Sequence, residues 1–295
     1  MSRGRTLALA LGVLAGLIAF IVVTVWILAS VVEDGGLPGG NRVALVELEG
    51  VILDGDAVIR QLREHEESPS VRAVVMRINS PGGVVAPTQE IVRGVERLRR
   101  AGKPVVASLG SVAASGGYYV AIATDRIFAS PGTLTGSIGV VMQMANVEGL
   151  LKRVGVDYVV VKAGRYKDIG NFSRTMTPEE RQILQALLDD IYTQFVTAVA
   201  EGRKLDRDTV LRLADGRIYS GRQALALRMV DELGGLEDAV EAAGRLGGIV
   251  GRPKILYPKR RFSLIDLVRN QIGLSSVTPL LPALPTLRTP LYLMD

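Results

Sequence analysis

Residues 7–32 read LALALGVLAGLIAFIVVTVWILASVV, a run of 26 positions without a charge. That run is too long and too evenly apolar to be one face of a surface helix. At about 1.5 Å of rise per residue, a helix over it spans the ~30 Å hydrocarbon core of a bilayer with some tilt. A cleaved secretion signal carries a shorter apolar run that ends in a small-residue cleavage site. Ala29-Ser30 is a weak site of that kind, so an uncleaved transmembrane anchor is the expectation and a cleaved signal the alternative. Arg3 and Arg5 precede the run, and Glu33 and Asp34 come directly after it. The positive-inside rule then puts residues 1–6 in the cytoplasm and the bulk of the chain outside, as a single-pass protein of the cell membrane. Residues 33–41, EDGGLPGGN, read as a Gly-rich linker.

The chain beyond the linker must do its chemistry with a restricted set of side chains. There is no cysteine, which excludes disulfides, thiolate nucleophiles and Cys-ligated metals. The single histidine, His65, sits in the polar stretch QLREHEESPS, so a His-rich zinc site is excluded as well. If the chain is a hydrolase, its base is this histidine, a carboxylate, a lysine or the N-terminus. Setting Arg3 and Arg5 aside leaves 33 basic against 30 acidic residues, with no basic stripe interleaved with aromatics. Nucleic-acid binding therefore has little support.

From Arg42 the pattern alternates between the two periodicities. Strands are expected at 43–48, 72–79, 104–109, 126–129 and 156–161, on their β-branched content. Helices are expected from about Asp56 to Glu66 and from about Pro87 to Arg100, the latter with Ile91, Val95 and Leu98 on one stripe. A long helix is expected from Thr177 to Ala200, with Thr177 as N-cap, Pro178 at the first position and Glu180 completing a capping box. This alternation predicts a largely parallel, layered α/β domain over residues 42–250. Residues 251–295 read as an extension. Its end, TPLLPALPTLRTPLYLMD, has four prolines and cannot be a regular helix.

Three segments carry candidate chemistry. INSPGGVV (78–85) ends a strand in a Gly-Gly turn that can aim bare N–H groups into a cleft, or can be an ordinary strand-to-helix turn. SVAASGGYY (111–119) places a serine among small residues at a strand-to-helix junction. That arrangement has the logic of a nucleophile elbow, or only of a Gly/Ser helix start. AGRYKDIGNFSR (163–174) carries Lys167 in a polar loop. Most such lysines are solvated, and a lysine acts as a base only where burial or a nearby cation favours its neutral form.

Taken together these segments resemble the signal peptide peptidase A family, S49-type Ser–Lys proteases, in its short single-domain form. The resemblance runs from about Val43 to Gly248. It rests on RINSPGG (77–83), ASGGYYVA (114–121), DRIFASPGTLTGSIGVV (125–141), GRYKDIGNFSR (164–174), and the pair GRIYSGRQAL and MVDELGGLEDAV within 216–240. It implies a ClpP/crotonase-like fold of repeated ββα units. It implies Ser115 as nucleophile and Lys167 as general base. Gly82 would supply an oxyanion N–H, with Gly116 as the second donor, and Ser137 would orient the lysine. NFSR at 171–174 departs from the Ser-Pro-Phe-Arg usual there. The substrates implied are remnant signal peptides and other membrane-associated peptides, and the resemblance implies no metal and no cofactor. The assembly implied is a homo-oligomeric ring with the dyad shared between protomers. The alternatives are the related Ser–Lys membrane proteases partnered with stomatin-like proteins, a catalytically silent scaffold on the same fold, and a crotonase-type acyl-CoA enzyme.

Overall fold

A computed structural model describes residues 12–25, 41–258 and 291–293. Residues 12–25 form a helix, α1, inside the predicted anchor; residues 7–11 and 26–32 of that span, and most of the 33–41 linker, lie outside the described residues. Among the described residues no helix is long and apolar enough to cross a membrane.

The body of the chain is built on one mixed sheet. Its central strands are β1 (Arg42–Glu49), β2 (Val71–Ser80) and β4 (Val105–Ala114), all mutually parallel. Alternate residues of these strands face opposite sides, as a two-residue period requires. Ala44, Val46, Leu48, Val74, Met76 and Ile78 point into one buried cluster. It is covered by α2 (Asp56–Glu67), α3 (Val85–Arg100), α4 (Gly116–Ala121) and the far end of α6 (Pro178–Arg203). Val43, Leu45, Ala73 and Val75 point the other way, under α9 (Leu236–Leu246). A sheet buried on both faces explains why these strands read as unbroken apolar runs.

The outer edge of β4 serves two further strands in succession. Its first half pairs with β5 (Arg126–Ala129) and its second half with β6 (Leu134–Gly136). β6 pairs antiparallel with β7 (Ile218–Ser220), which leads into the short α8 (Gly221–Ala226); β8 (Glu232–Leu233) borders β5, and β9 (Lys254–Leu256) borders β1. A separate two-stranded pair joins β3 (Gly82–Val84) to β10 (Leu291–Leu293), antiparallel.

The expected α/β alternation and its helices are present, and the α6 capping box forms as written: Glu180 N–H donates to Thr177 Oγ1 at 3.2 Å and Thr177 N–H to Glu180 Oε2 at 2.9 Å. One predicted strand is absent. Residues 156–161, DYVVV and the valine before it, are extended but pair with no strand among the described residues. They come after α5 (Glu148–Arg153), a helix that buries nothing. A strand needs a neighbour to satisfy its backbone, and none of the described strands lies beside these residues. Their side chains face outward instead, Val161 at 96% exposure and Val159 at 80%.

The seam between α4 and α6 is closed by aromatics. The rings of Tyr119 and Phe195 meet edge-to-face with centroids 4.9 Å apart, and Phe195 is fully buried. Truncating a buried Phe to Ala costs about 3–5 kcal/mol. Phe195→Ala should therefore lower the melting temperature by on the order of 10 °C, read by calorimetry or circular dichroism.

Candidate active site

The two central strands end side by side, and their ends form the site. β2 stops at Ser80 and β4 at Ala114, with Ser80 opposite Ala113. Between Ile78↔Leu109 and Ser80↔Ala113 the register slips, because β4 uses more residues than β2 to cover the same distance. Such a bulge bends a strand and re-aims the residues beyond it. Asn79 fills the gap, its side-chain oxygen accepting from Val112 N–H at 3.3 Å.

Directly beyond β4 stands Ser115. Its backbone sits at φ 51°, ψ −117°, outside the regions open to L-residues at low cost. The strain is held from both sides. Ser115 N–H donates to Gly136 O at 2.8 Å, extending the β4–β6 ladder by one step, and Ser115 O accepts from Tyr119 N–H at 2.8 Å in the first turn of α4. Strain kept in place by surrounding bonds is a mark of functional positions. Ser115 is fully buried, and among the described residues its Oγ has no hydrogen-bond partner.

The SPGG turn packs against this elbow. A side chain at Gly116 would lie 3.2 Å from Gly82 Cα and Gly83 N and 3.1 Å from Thr88 Oγ1. One at Gly117 would lie 2.7 Å from Ser80 O, and one at Gly83 only 2.1 Å from Ile52 O. These glycines are there because two backbones touch. Gly82 adopts φ 107°, and its N–H donates to Ser80 Oγ at 3.1 Å. Ser80 is fully buried, and its polar role was not legible in the sequence. Gly116, first residue of α4, has an N–H with no acceptor inside the helix. Ser137, next after Gly136, is buried, its N–H donating to Arg217 O at 2.8 Å, so β6 brings it beside the elbow.

Lys167 is not part of this cluster within the chain. It lies exposed in the 162–177 loop, and among the described residues its ammonium has no hydrogen bond or ion pair. Its neighbours, by contrast, are tied down. Asp168 pairs with Lys162 and with Arg174, and Arg174 continues to Glu180 at the start of α6. Those bonds hold the Asp168 carboxyl well below the usual range and Glu180 at about 2, chiefly through Arg174 in each case. Glu148, bonded to Lys152 and Thr175, is also held at about 2. His65 lies on α2 away from the elbow, half-buried, and burial lowers its pKa. Among the described residues no cluster of His, Cys, Asp or Glu could hold a metal ion.

A layered α/β domain that presents a strained serine at the end of a central strand, against a glycine-lined backbone, brings a hydroxyl and backbone N–H groups together, the parts that acyl transfer uses. Comparison with known proteins makes that specific. The model of peptidase family S49 matches residues 97–249. A Synechocystis protein named as a candidate protease, slr0021, is 48% identical over 71% of this chain and 76% of its own length. Protease 4 of Salmonella typhi is 34% identical over 82% of this chain, which covers 40% of that protein. An Enterococcus faecium protein named as a candidate signal peptide peptidase SppA is 38% identical over 71% of this chain and 64% of its own. The chain belongs to peptidase family S49 and is a protease.

The geometry makes two outcomes measurable. Glycine tolerates the Ser115 conformation and alanine does not, so relief of about 1–3 kcal/mol of strain competes with about 0.4–1 kcal/mol of added unfolded-state entropy. Ser115→Gly should be more stable than Ser115→Ala by roughly 1 kcal/mol in denaturant titrations. The second outcome concerns acid. Asp168, Glu180 and Glu148 have depressed folded pKa values, so their ties stabilise the loop fully above the unfolded carboxyl values of about 4 and are lost as pH falls through about 2. Hydrogen-exchange protection of the 162–177 amides, taken relative to the intrinsic rate at each pH, should fall over that window before that of the sheet amides does.

Proposed function

We propose that this chain is a membrane-anchored serine endopeptidase in which Ser115 and Lys167, contributed by neighbouring protomers of a ring, form the catalytic dyad. The observation that carries the nucleophile is the buried, unpartnered Oγ of Ser115 on a strained elbow, facing the Gly82–Gly83 backbone. A buried hydroxyl without a partner is costly, and one that awaits a base is a reason to bear the cost. In the reaction Ser115 Oγ attacks the scissile carbonyl carbon and its proton passes to the neutral Lys167 amine. Lysine returns that proton to the departing amine, and water then hydrolyses the acyl-enzyme by the same route. Gly116 N–H, and Gly82 N–H once its bond to Ser80 yields to a stronger acceptor, would stabilise the oxyanion. Ser137 would orient the lysine.

Sharing between protomers is supported by where the chain leaves its apolar surface. The exposed 156–161 segment lies just ahead of the lysine loop and lacks a strand partner of its own. Docking on a second copy would bury it and carry Lys167 to that copy's Ser115. Contacts of this head-to-tail kind close into rings. The ββα repeat of ClpP/crotonase proteins is the arrangement this reading assigns to the domain.

Remnant signal peptides and other membrane-associated peptides are the proposed substrates. The pairing of Leu291–Leu293 with Gly82–Val84 supports an extended, antiparallel binding mode, since β3 already accepts a peptide strand along the glycines of the site. Residues 7–32 would anchor the assembly, with the catalytic domains on the outer face.

The test is complementation. Ser115→Ala and Lys167→Ala should each abolish peptide cleavage without unfolding, whereas His65→Ala should stay active. If the dyad is shared, dissociating the two inactive proteins together and reassembling them should return part of the activity. Absence of recovery in demonstrably mixed rings would leave the dyad within one chain. Because a lysine base must be neutral, activity should climb into the alkaline range, and a profile peaking below about pH 6 would contradict the assignment.

A further inference from the structure

The backbone on either side of Lys167 is fastened to α6, and one side chain makes most of the attachment. Arg174 has five guanidinium N–H groups, and each has an acceptor. Nε donates to Asp168 Oδ2 at 3.0 Å. Nη1 donates to Glu180 Oε2 at 2.9 Å and to Thr175 O at 3.3 Å, and Nη2 to Glu180 Oε1 and to Asp168 O at 3.3 Å. Arg174 thus grips both the carboxylate and the carbonyl of the residue next after Lys167. Its other hand is Glu180, 4% exposed and already committed to the α6 capping box. The far end of α6 is buried in the core through Phe195, Val196 and Val199. Movement of Arg174 therefore moves Lys167 directly, while the core holds Arg174 still.

The charges add a second consequence. Asp168 is adjacent to Lys167 and would be its natural counter-ion. It is instead satisfied by Lys162 and Arg174. The other charged groups around the loop are also paired off. Arg165 and the Tyr166 hydroxyl meet Glu179, and Glu148 of α5 meets Lys152 and Thr175. Among the described residues Lys167 is left without a carboxylate partner.

We propose that Arg174 is the positioning residue of the protease base, holding the Lys167 loop on α6 and keeping the Asp168 carboxylate away from the lysine. This rests on the Ser115–Lys167 reading. It goes beyond that reading by naming what sets the lysine's place.

The experiment measures kcat, KM and pH profile for full-length Arg174→Gln, Arg174→Lys, the double variant Arg174→Gln/Asp168→Asn, and Lys167→Ala. Arg99→Gln, which breaks an ion pair with Asp125 elsewhere, serves as the control. Arg174→Gln should lower kcat at least tenfold near pH 8 with KM within twofold, and its activity should rise only at higher pH, because Asp168 keeps Lys162 on Oδ1 but has Oδ2 released to pair with the lysine. Adding Asp168→Asn should bring the pH profile back toward wild type. Arg174→Lys keeps the charge but not the fork, and should lose several-fold in kcat; it carries the comparison if Arg174→Gln does not fold. Wild-type kcat and pH profile in the Arg174 variants, with Lys167→Ala inactive, would overturn this inference alone. Activity in Lys167→Ala would overturn the dyad and this inference with it.

Discussion

The pairing of Ser80 with Ala113, at the carboxyl ends of the two central parallel strands, is the constraint on which the site depends. Parallel strands all finish on the same edge of a sheet, and that edge is where open α/β folds place their ligands. Here two adjacent strands finish within one residue of each other in register. One then turns through Pro81 into the glycines, and the other enters the strained conformation of Ser115. The β4 bulge makes this coincidence possible, because an unslipped ladder would carry β4 past the turn rather than up against it.

The strain at Ser115 is tolerable because it is over-determined. β6 takes its N–H, α4 takes its carbonyl, and the fully buried Tyr118 one turn on anchors α4 by donating its hydroxyl proton to Met229 O at 2.9 Å. Burial raises the Tyr118 pKa, so this anchor stays protonated and donating across the working pH range. The same economy of small residues that lets two backbones meet at 82–83 and 116–117 leaves no space for a side chain there. Substitution at Gly83 or Gly117 is a backbone collision rather than a loss of flexibility.

The proposed base is held by the opposite means. Where Ser115 is buried at the end of a central strand, Lys167 rides on an exposed loop with glycines at positive φ at 164 and 170. That loop is secured by ion pairs to the start of α6, not by burial.

The sequence by itself determined much of this. The apolar periodicities located the buried strands β1, β2, β4 and β5 and the helices α2, α3 and α6, because a sheet buried on both faces leaves an unmistakable run of Val, Ile and Leu; the two- and three-residue strands and the short helices are below the length at which a period can be read. The capping box at Thr177 and Glu180 was legible because its chemistry is local, three residues apart. Motif likeness marked Ser115, Gly82 and Lys167. Tertiary structure decided the rest, through contacts between residues far apart in the chain. Nothing local announces that Gly136 O will take the N–H of Ser115, or that Tyr118 will reach Met229 to anchor α4. Nor does it announce that Gly83 will lie against the backbone of Ile52. The valines of 156–161 carry strand propensity in full and still form no strand, because propensity prepares a backbone for pairing but only a free sheet edge can supply the partner.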